Sequence, residues 1–461
     1  MAKSKEVFVC RDCGASSPKW QGQCAACGEW NTLAAEPGRP GSAAPRAGRS
    51  ASAQPTSTLA AQSGSAPART GTGSGELDRV LGGGLVAGSA TLIGGDPGIG
   101  KSTLMLQAAA ALSDGGCVLY ATGEESLQQV ALRARRLGLD GVAARLIAET
   151  CVEEILAAAT AVGARTLIVD SIQTMYSERI DSAPGAVTQL RECTALLVRH
   201  AKQSGTAVLL VGHVTKEGQI AGPRVLEHMV DTVLYFESDT GSRFRVLRAV
   251  KNRFGAANEI GVFAMAEQGL REVTNPSAIF LSRDPEPVSG SVVTVLREGT
   301  RSLLIEVQVL ADDSAGGNPR RVAVGVDGNR LTMLLAVAHR HGGLALHGKD
   351  VFANVVGGVR ISETSADLAI VLAARSSLTD QPFAHAAIAF GELGLAGEIR
   401  PVPFGEERLR EAAKHGFTSA IVPLSNVPRR APEGMSVRGV KRLAEALELQ
   451  AASSEAGPSG R

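Results

Sequence analysis

The sequence predicts an α/β protein built on a parallel sheet and a phosphate-binding loop, with a four-cysteine zinc ribbon ahead of it and a second α/β domain behind it. Three observations carry this prediction. Apolar runs at residues 90–94, 117–122, 166–170 and 207–214 alternate with helix-like stretches at 101–112, 127–137 and 186–203. The glycine-rich segment Gly95-Asp96-Pro97-Gly98-Ile99-Gly100-Lys101-Ser102 lies between the first apolar run and the first helix. Cys10, Cys13, Cys24 and Cys27 form two C-x2-C pairs near the start of the chain.

In chain order, residues 1–33 are expected to be the zinc module. Residues 34–69 are rich in Ala, Ser, Gly and Pro, with four arginines (Arg39, Arg46, Arg49 and Arg69) and hardly a large apolar side chain. Such a stretch cannot bury enough surface to offset its ordering entropy, so it reads as a flexible linker. Residues 70–286 carry the alternating runs. Strands apolar enough to be covered on both faces, separated by helices, mean a parallel sheet. The runs 243–251 and 260–266 suit an antiparallel hairpin at its edge. A second unit, residues 287–452, opens with a hairpin (292–297, a turn at Glu298-Gly299-Thr300, then 302–310). It continues through helical 330–339 and 365–376 to a strand at 387–393. Residues 453–461 are polar and read as a disordered tail.

Bulk composition narrows the function less. At roughly 150 residues per domain, 461 residues allow two to four domains and an ample core. Lys plus Arg is 47 against 46 for Asp plus Glu, so a nucleic-acid surface would have to be a local patch. Seven cysteines is an odd number, and the clustered four read as metal ligands rather than a disulfide framework. Cys117, Cys151 and Cys193 stand apart as small core hydrophobes. No apolar stretch follows Lys3 and Lys5 or approaches a membrane span, so the expected compartment is a reducing cytoplasm, with no membrane partner.

The chemistry concentrates at three places. A phosphate loop needs glycines to turn successive N–H groups toward phosphate oxygens, a lysine for the β- and γ-phosphates and a hydroxyl for Mg2+. Gly95, Gly98 and Gly100 meet the first need, Lys101 the second and Ser102 the third. Asp96, Pro97, Ile99 and Thr103 complete the ATP-binding set, and the helix opening at Lys101 favours the anion. The run 166–170 ends in Asp170, which is expected to hold Mg2+ or its water. Glu124-Glu125 follow the run 117–122, expected to lie alongside the phosphate-loop strand. Glu124 is the first choice to orient the attacking water, although two adjacent acids also suit a solvated helix start.

At the N-terminus, two thiolate pairs with no open position mark a structural Zn2+. Trp20, Trp30 and Lys19 beside them could stack on single-stranded DNA, while the tryptophans equally suit the core of a small ribbon.

These motifs, together with residues 76–85 (Glu76-Leu77-Asp78-Arg79-Val80-Leu81-Gly82-Gly83-Gly84-Leu85), Gly123-Glu124-Glu125-Ser126 and Asp170-Ser171, resemble the RecA/KaiC branch of phosphate-loop ATPases. Lys251-Asn252-Arg253-Phe254-Gly255 resembles a motif of the RadA/Sms DNA-repair family, and that likeness runs the length of the chain. It implies a RecA-like core working as a homo-oligomer, a hexameric ring, with ATP between subunits. Lys251 and Arg253, two apart on one strand face, would reach the neighbour's γ-phosphate, and His213 would fall at a γ-phosphate sensor position. Residues 215–224, with Lys216 and Arg224, resemble a DNA-facing loop. The implied activity is DNA-dependent ATP hydrolysis on single-stranded DNA and branched recombination intermediates, together with the RecA recombinase.

Residues 357–377, 391–400 and 408–416 resemble the proteolytic domain of Lon-type proteases. Ser365 matches the serine of a Ser-Lys dyad, but the lysine's place is read as an acid, Glu406 or Glu407. A non-proteolytic scaffold is therefore expected, with Lys349 and Arg360 as possible DNA contacts. The alternatives are a Lon-like peptidase and a KaiC-like assembly ATPase without DNA function.

Overall fold

The computed structural model describes residues 7–17, 19–36, 68–213, 225–237, 244–281, 287–314, 318–384 and 386–455. Most of the expected linker (with Arg39, Arg46 and Arg49), the segment 215–224 (with Lys216 and Arg224) and the end of the expected tail lie outside these residues.

In the first unit, the zinc module is a small antiparallel sheet in which Val7–Cys10 pairs with Ser16–Ser17 on one side and Leu33–Glu36 on the other. Beyond it lies a nine-stranded sheet. From one edge its order is Gly269–Glu272, Ile260–Ala266, Phe244–Asn252, Thr232–Glu237, Ala90–Gly94, Ala207–Val211, Thr166–Asp170, Val118–Thr122 and Arg145–Ala148. The last six run parallel, and the first three add antiparallel at the edge, as the alternating pattern at 243–251 and 260–266 predicts.

A parallel sheet must be covered on both faces, and the burial shows why these strands are continuously apolar. One face packs under helices Gly75–Leu81, Lys101–Ser113 and Leu127–Arg136, with Ile93, Ile168 and Leu209 pointing into that layer. The other packs under Val152–Ala161 and Val187–Ser204, with Leu92, Leu167 and Leu210. Burying each such side chain contributes about 1.5–3 kcal/mol.

Two expectations change here. The strand Val118–Thr122 does not run alongside the phosphate-loop strand, because Ala207–Val211 and Thr166–Asp170 lie between them. Helix Lys101–Ser113 spans the sheet face before the chain re-enters it, and later strands fill the gap. The immediate neighbour on the other side, Thr232–Glu237, is absent from the expected series of runs.

The second unit holds a seven-stranded mixed sheet in the order Arg321–Val324, Lys349–Val355, Arg301–Asp313, Ser291–Glu298, Ala387–Ala389, Ser419–Pro423 and Ser436–Val440. Helices Gly328–Gly342, Asp367–Thr379, Gly405–Lys414 and Leu443–Glu455 accompany it. The expected hairpin forms around Gly299-Thr300. This unit begins at Val273, earlier in the chain than residue 287. Helix Ser277–Phe280 anchors that early segment, with Leu304 N donating to Ser277 Oγ at 3.2 Å and Phe280 buried.

The single strand expected at 387–393 is instead two short ones in different sheets, Ala387–Ala389 and Glu392–Leu393. They break at Gly391, whose φ of +153° turns the chain so that its N–H meets Ser365 O at 2.7 Å.

Candidate functional site

The strand Ala90–Gly94 is buried throughout and delivers the glycine-rich loop to the carboxyl edge of the sheet. Gly95 has φ +152°, and a Cβ there would stand 2.9 Å from Phe236 Cβ, so a side chain cannot be accommodated where the loop leaves the strand. Gly100, at φ +119°, caps helix Lys101–Ser113 in the left-handed region, where an L side chain is strained. Between them Ile99 is buried in the core and pins the loop, while Asp96, Pro97 and Gly98 stay exposed. Ser102 and Thr103 fall in the first turn of the helix, where backbone N–H groups lack intrahelical acceptors.

Lys101 is 3% exposed and turns back on its own loop, donating to Gly95 O at 2.7 Å and Asp96 O at 2.8 Å. Burial presses its ammonium down to about 8, against the pull of Asp170, Asp96 and Glu124. A buried cation held only by carbonyl oxygens, beside a cradle of glycines and a helix N-terminus, is a donor set matched to phosphate oxygens.

Three adjacent parallel strands end beside this loop. Val118–Thr122 leads to Glu124, Thr166–Asp170 ends in Asp170 and passes to Ser171, and Ala207–Val211 leads to His213. Glu124 Oε1 accepts from Ser171 Oγ and lies 3.1 Å from His213 Nε2. Gln173 Nε2 donates to His213 O at 3.2 Å. His213 Nδ1 and Gln173 Oε1 are buried with no partner among the described residues. Lys101, Asp170, Glu124 and His213 thus stand together at this edge of the sheet, although the strand order differs from the expected one. Glu125 instead pairs with Arg133 and caps its own turn, its N–H donating to Thr122 Oγ1 at 3.1 Å.

Sequence reasoning gave Ser171 no role beyond its place in the Asp170-Ser171 motif, and missed Tyr120. Tyr120 is buried, its hydroxyl donates to Asp170 Oδ2 at 2.5 Å, and burial together with Asp170 raises its pKa well above 10. A tyrosine two residues before the end of an otherwise apolar strand, on the same strand face as the terminal acid's neighbour, is the available signal.

Lys251 and Arg253 do not share a strand face, because the strand Phe244–Asn252 ends before Arg253. Lys251 Nζ donates to Glu227 O and Val230 O, both at 2.8 Å, at the end of helix Val225–Met229. Burial, then the nearby Arg253 charge, lowers its pKa. Arg253 pairs at 3.2 Å with Asp231, a buried acid that also takes Lys202 at 2.5 Å and the N–H of Ala90 at 3.0 Å. Burial works to raise the Asp231 pKa, but those donors hold it below the usual range. In the single chain both cations are therefore engaged in cis.

At the zinc module, all four thiols lie within 4.8 Å of one another, with Cys10 to Cys27 at 3.7 Å and Cys13 to Cys24 at 3.5 Å. A tetrahedron of sulfurs about 2.3 Å from zinc has edges of about 3.8 Å, so the donors fit that ion, and they are far too distant for disulfides. The two halves repeat one turn, with Gly14 N donating to Cys10 O at 2.9 Å and Gly28 N to Cys24 O at 2.8 Å. Without a cation four thiolates cannot coexist, and burial and its neighbours push Cys13 up to about 12. The tryptophans do not form the ribbon's core, which is Cys10, Cys24 and Leu33 with Phe8 packed on it. Trp20 and Trp30 stand mostly exposed.

In the second unit the basic residue facing Ser365 is Arg408, and not an acid at 406 or 407. Arg408 is fully buried and forks onto Glu363 at 2.9 and 2.7 Å, while Ser365 Oγ donates to Glu363 Oε1 at 2.8 Å. Residues 405, 408, 409 and 412 line the helix's buried stripe, which turns Glu406 outward to pair with Arg410. Lys349 pairs with Asp313 at 2.9 Å, and Arg360 is exposed.

Residues 8–35 match the family described as rubredoxin metal binding domain, 73–219 the AAA domain, and 336–426 subunit ChlI of Mg-chelatase. The chain is 58% identical over 451 residues to a Pseudomonas aeruginosa protein, with 97% of this chain and 99% of that one covered. The Escherichia coli and Bacillus subtilis relatives are 56% and 49% identical over the same shares of each chain. All three are named DNA repair protein RadA. The expected α/β class therefore stands, with its phosphate-loop core, zinc ribbon and Lon-like C-terminal domain. Among the described residues, no helix is long and apolar enough to cross a membrane.

Proposed function

Because the chain belongs to the family of DNA repair protein RadA, we propose that it is a DNA-dependent ATPase of recombinational repair. In this reading it works in the cytoplasm as a hexameric ring. It binds single-stranded DNA and drives branch migration of recombination intermediates together with RecA.

The observation that carries the ATPase reading is the convergence of Lys101, Asp170, Glu124 and His213 where the phosphate loop meets three parallel strand ends. Lys101 exchanges its two loop carbonyls for phosphate oxygens. Ser102 and Asp170 would hold Mg2+, which would supply positive charge to offset the negative charge building on the transferring phosphate. Glu124 takes the position that orients the attacking water, with His213 and Ser171 fixing its carboxylate. Lys251 and Arg253 leave their cis partners to meet the neighbour's γ-phosphate. Catalysis of this kind is mainly positioning plus electrostatics, which suits these residue types. Zn2+ is structural in the four-cysteine ribbon.

The peptidase alternative lacks the dyad's amine, and the carboxylate that accepts from Ser365 Oγ, Glu363, is itself tied at both oxygens to Arg408. The group facing Ser365 is a guanidinium, which has donors and no acceptor, so it cannot take the hydroxyl proton as a dyad lysine does. Steady-state ATP hydrolysis with and without single-stranded DNA tests the proposal, with Lys101→Ala as the control against a contaminating ATPase. Activity that vanishes in the variant but is indifferent to DNA would leave the ATPase and sink the DNA-coupled reading in favour of an assembly protein.

A further inference from the structure

The nucleotide site contains a polar contact that its assigned residues do not explain. Tyr120 sits in the middle of the strand Val118–Thr122, 1% exposed, beside Ile168 in the parallel register, two positions before the pair Thr122 and Asp170. Side chains two apart on a strand share a face, so the phenol reaches along the sheet to the carboxylate of the neighbouring strand. Its hydroxyl donates to Asp170 Oδ2 at 2.5 Å.

Packing alone would be met by phenylalanine. A buried hydroxyl without a partner is destabilising, so the oxygen is tolerated because the carboxylate accepts from it. The carboxylate depends on the phenol in turn. Asp170 is 8% exposed, and Lys101, the cation of the phosphate loop, donates instead to Gly95 O and Asp96 O. The Asp170 main chain is fixed independently, its carbonyl accepting from Gly123 N at 2.9 Å. With Oδ2 committed to the phenol, Oδ1 is the oxygen that remains for a ligand.

We propose that Tyr120 is a positioning residue for the Mg2+ site, holding Asp170 through Oδ2 so that Oδ1 alone is offered to the ion or its water. The inference rests on reading Asp170 as the Mg2+ carboxylate. Partners that orient a ligating carboxylate are worth about 10–100-fold in metal affinity.

The test is binding of a fluorescent ATP analogue to the full chain, titrated with Mg2+, for wild type, Asp170→Asn and Tyr120→Phe. Phenylalanine keeps the ring's packing, and the Mg2+-free binding of each variant serves as its own reference for folding. The expected result is that Tyr120→Phe moves the Mg2+ midpoint upward by about tenfold, in the same direction as Asp170→Asn, and leaves Mg2+-free binding unchanged. A shift in Asp170→Asn with a wild-type midpoint in Tyr120→Phe overturns the positioning role while sparing the Asp170 assignment. No shift in Asp170→Asn overturns that assignment and the inference with it. An equal loss of binding with and without Mg2+ in Tyr120→Phe is the mark of packing alone and also overturns the proposal.

Discussion

Arg408 Nη1 stands 3.3 Å from Ser365 Oγ, and both groups converge on the carboxylate of Glu363. The relationship is structural, because a guanidinium, with donors and no acceptor, fills the place where a dyad needs an amine that can take a proton. Two outcomes follow. Ser365→Ala loses two hydrogen bonds, one to Glu363 and one from Arg408, costs about 2 kcal/mol and leaves ATP hydrolysis unchanged. Arg408→Ala leaves Glu363 without its buried partner and costs about 3 kcal/mol, at the low end for a broken buried pair because Glu363 is 27% exposed. Thermal unfolding of the full chain reads both. Peptide cleavage that Ser365→Ala abolishes would contradict this account.

The ribbon should hold one zinc per chain. Metal released by thiol modification and measured with a chromogenic chelator is expected to be one equivalent in the wild type and none in Cys24→Ser, because three thiolates leave the tetrahedron open. Hydrolysis without DNA should survive in that variant, since no cysteine of the ribbon touches the phosphate loop. A Cys24→Ser protein that retains stoichiometric zinc would refute the four-thiolate site.

What the sequence made legible was local. The phosphate loop, its strand Ala90–Gly94 and the strand Thr166–Asp170 were read to the residue, because glycines, a lysine and a terminal acid at fixed spacing declare themselves within a few positions. The partnerships were not legible. Tyr120 and Asp170 are 50 residues apart, and Ser171 and Glu124 are 47 apart, so each contact depends on which strands become neighbours. That order depends on how far helix Lys101–Ser113 carries the chain across the sheet, which no local pattern states. Arg408 shows the same limit on a smaller scale. Each residue turns a helix by about 100°, so between Glu406 and Arg408 the helix turns from solvent, through the half-buried Glu407, to the core.

Lys251 should act across a subunit boundary. Its substitution by alanine is expected to lower ATP hydrolysis by at least about 10³-fold, the scale of a charge supplied in trans, while nucleotide binding persists. The decisive measurement mixes Lys251→Ala subunits with Glu124→Gln subunits, each inactive alone. A neighbour that lends Lys251 to an intact Glu124 rebuilds one kind of working interface, so activity returns on mixing. If it does not, Lys251 acts only where it is seen, on the carbonyls of Glu227 and Val230 at the end of its own chain's helix.

Lys101 gives nucleotide binding a pH dependence whose sign can be worked out. Burial holds its ammonium at about 8 in the nucleotide-free protein, well below the usual value near 10.4 for lysine. A bound polyphosphate favours the charged form and raises that value again. Below about pH 8 the lysine is already protonated and binding takes up no proton, so affinity is flat. Above it, binding must recruit a proton to Lys101, and affinity falls by up to about tenfold per pH unit until the raised value of the complex is passed. Titrating a fluorescent ATP analogue between about pH 7 and 9.5 should show this break. Lys101→Arg, whose guanidinium does not titrate there, should bind weakly but without the break. A wild-type affinity that stays flat to pH 9.5 would mean that Lys101 keeps its proton without the nucleotide, so that its bonds to Gly95 O and Asp96 O offset the burial.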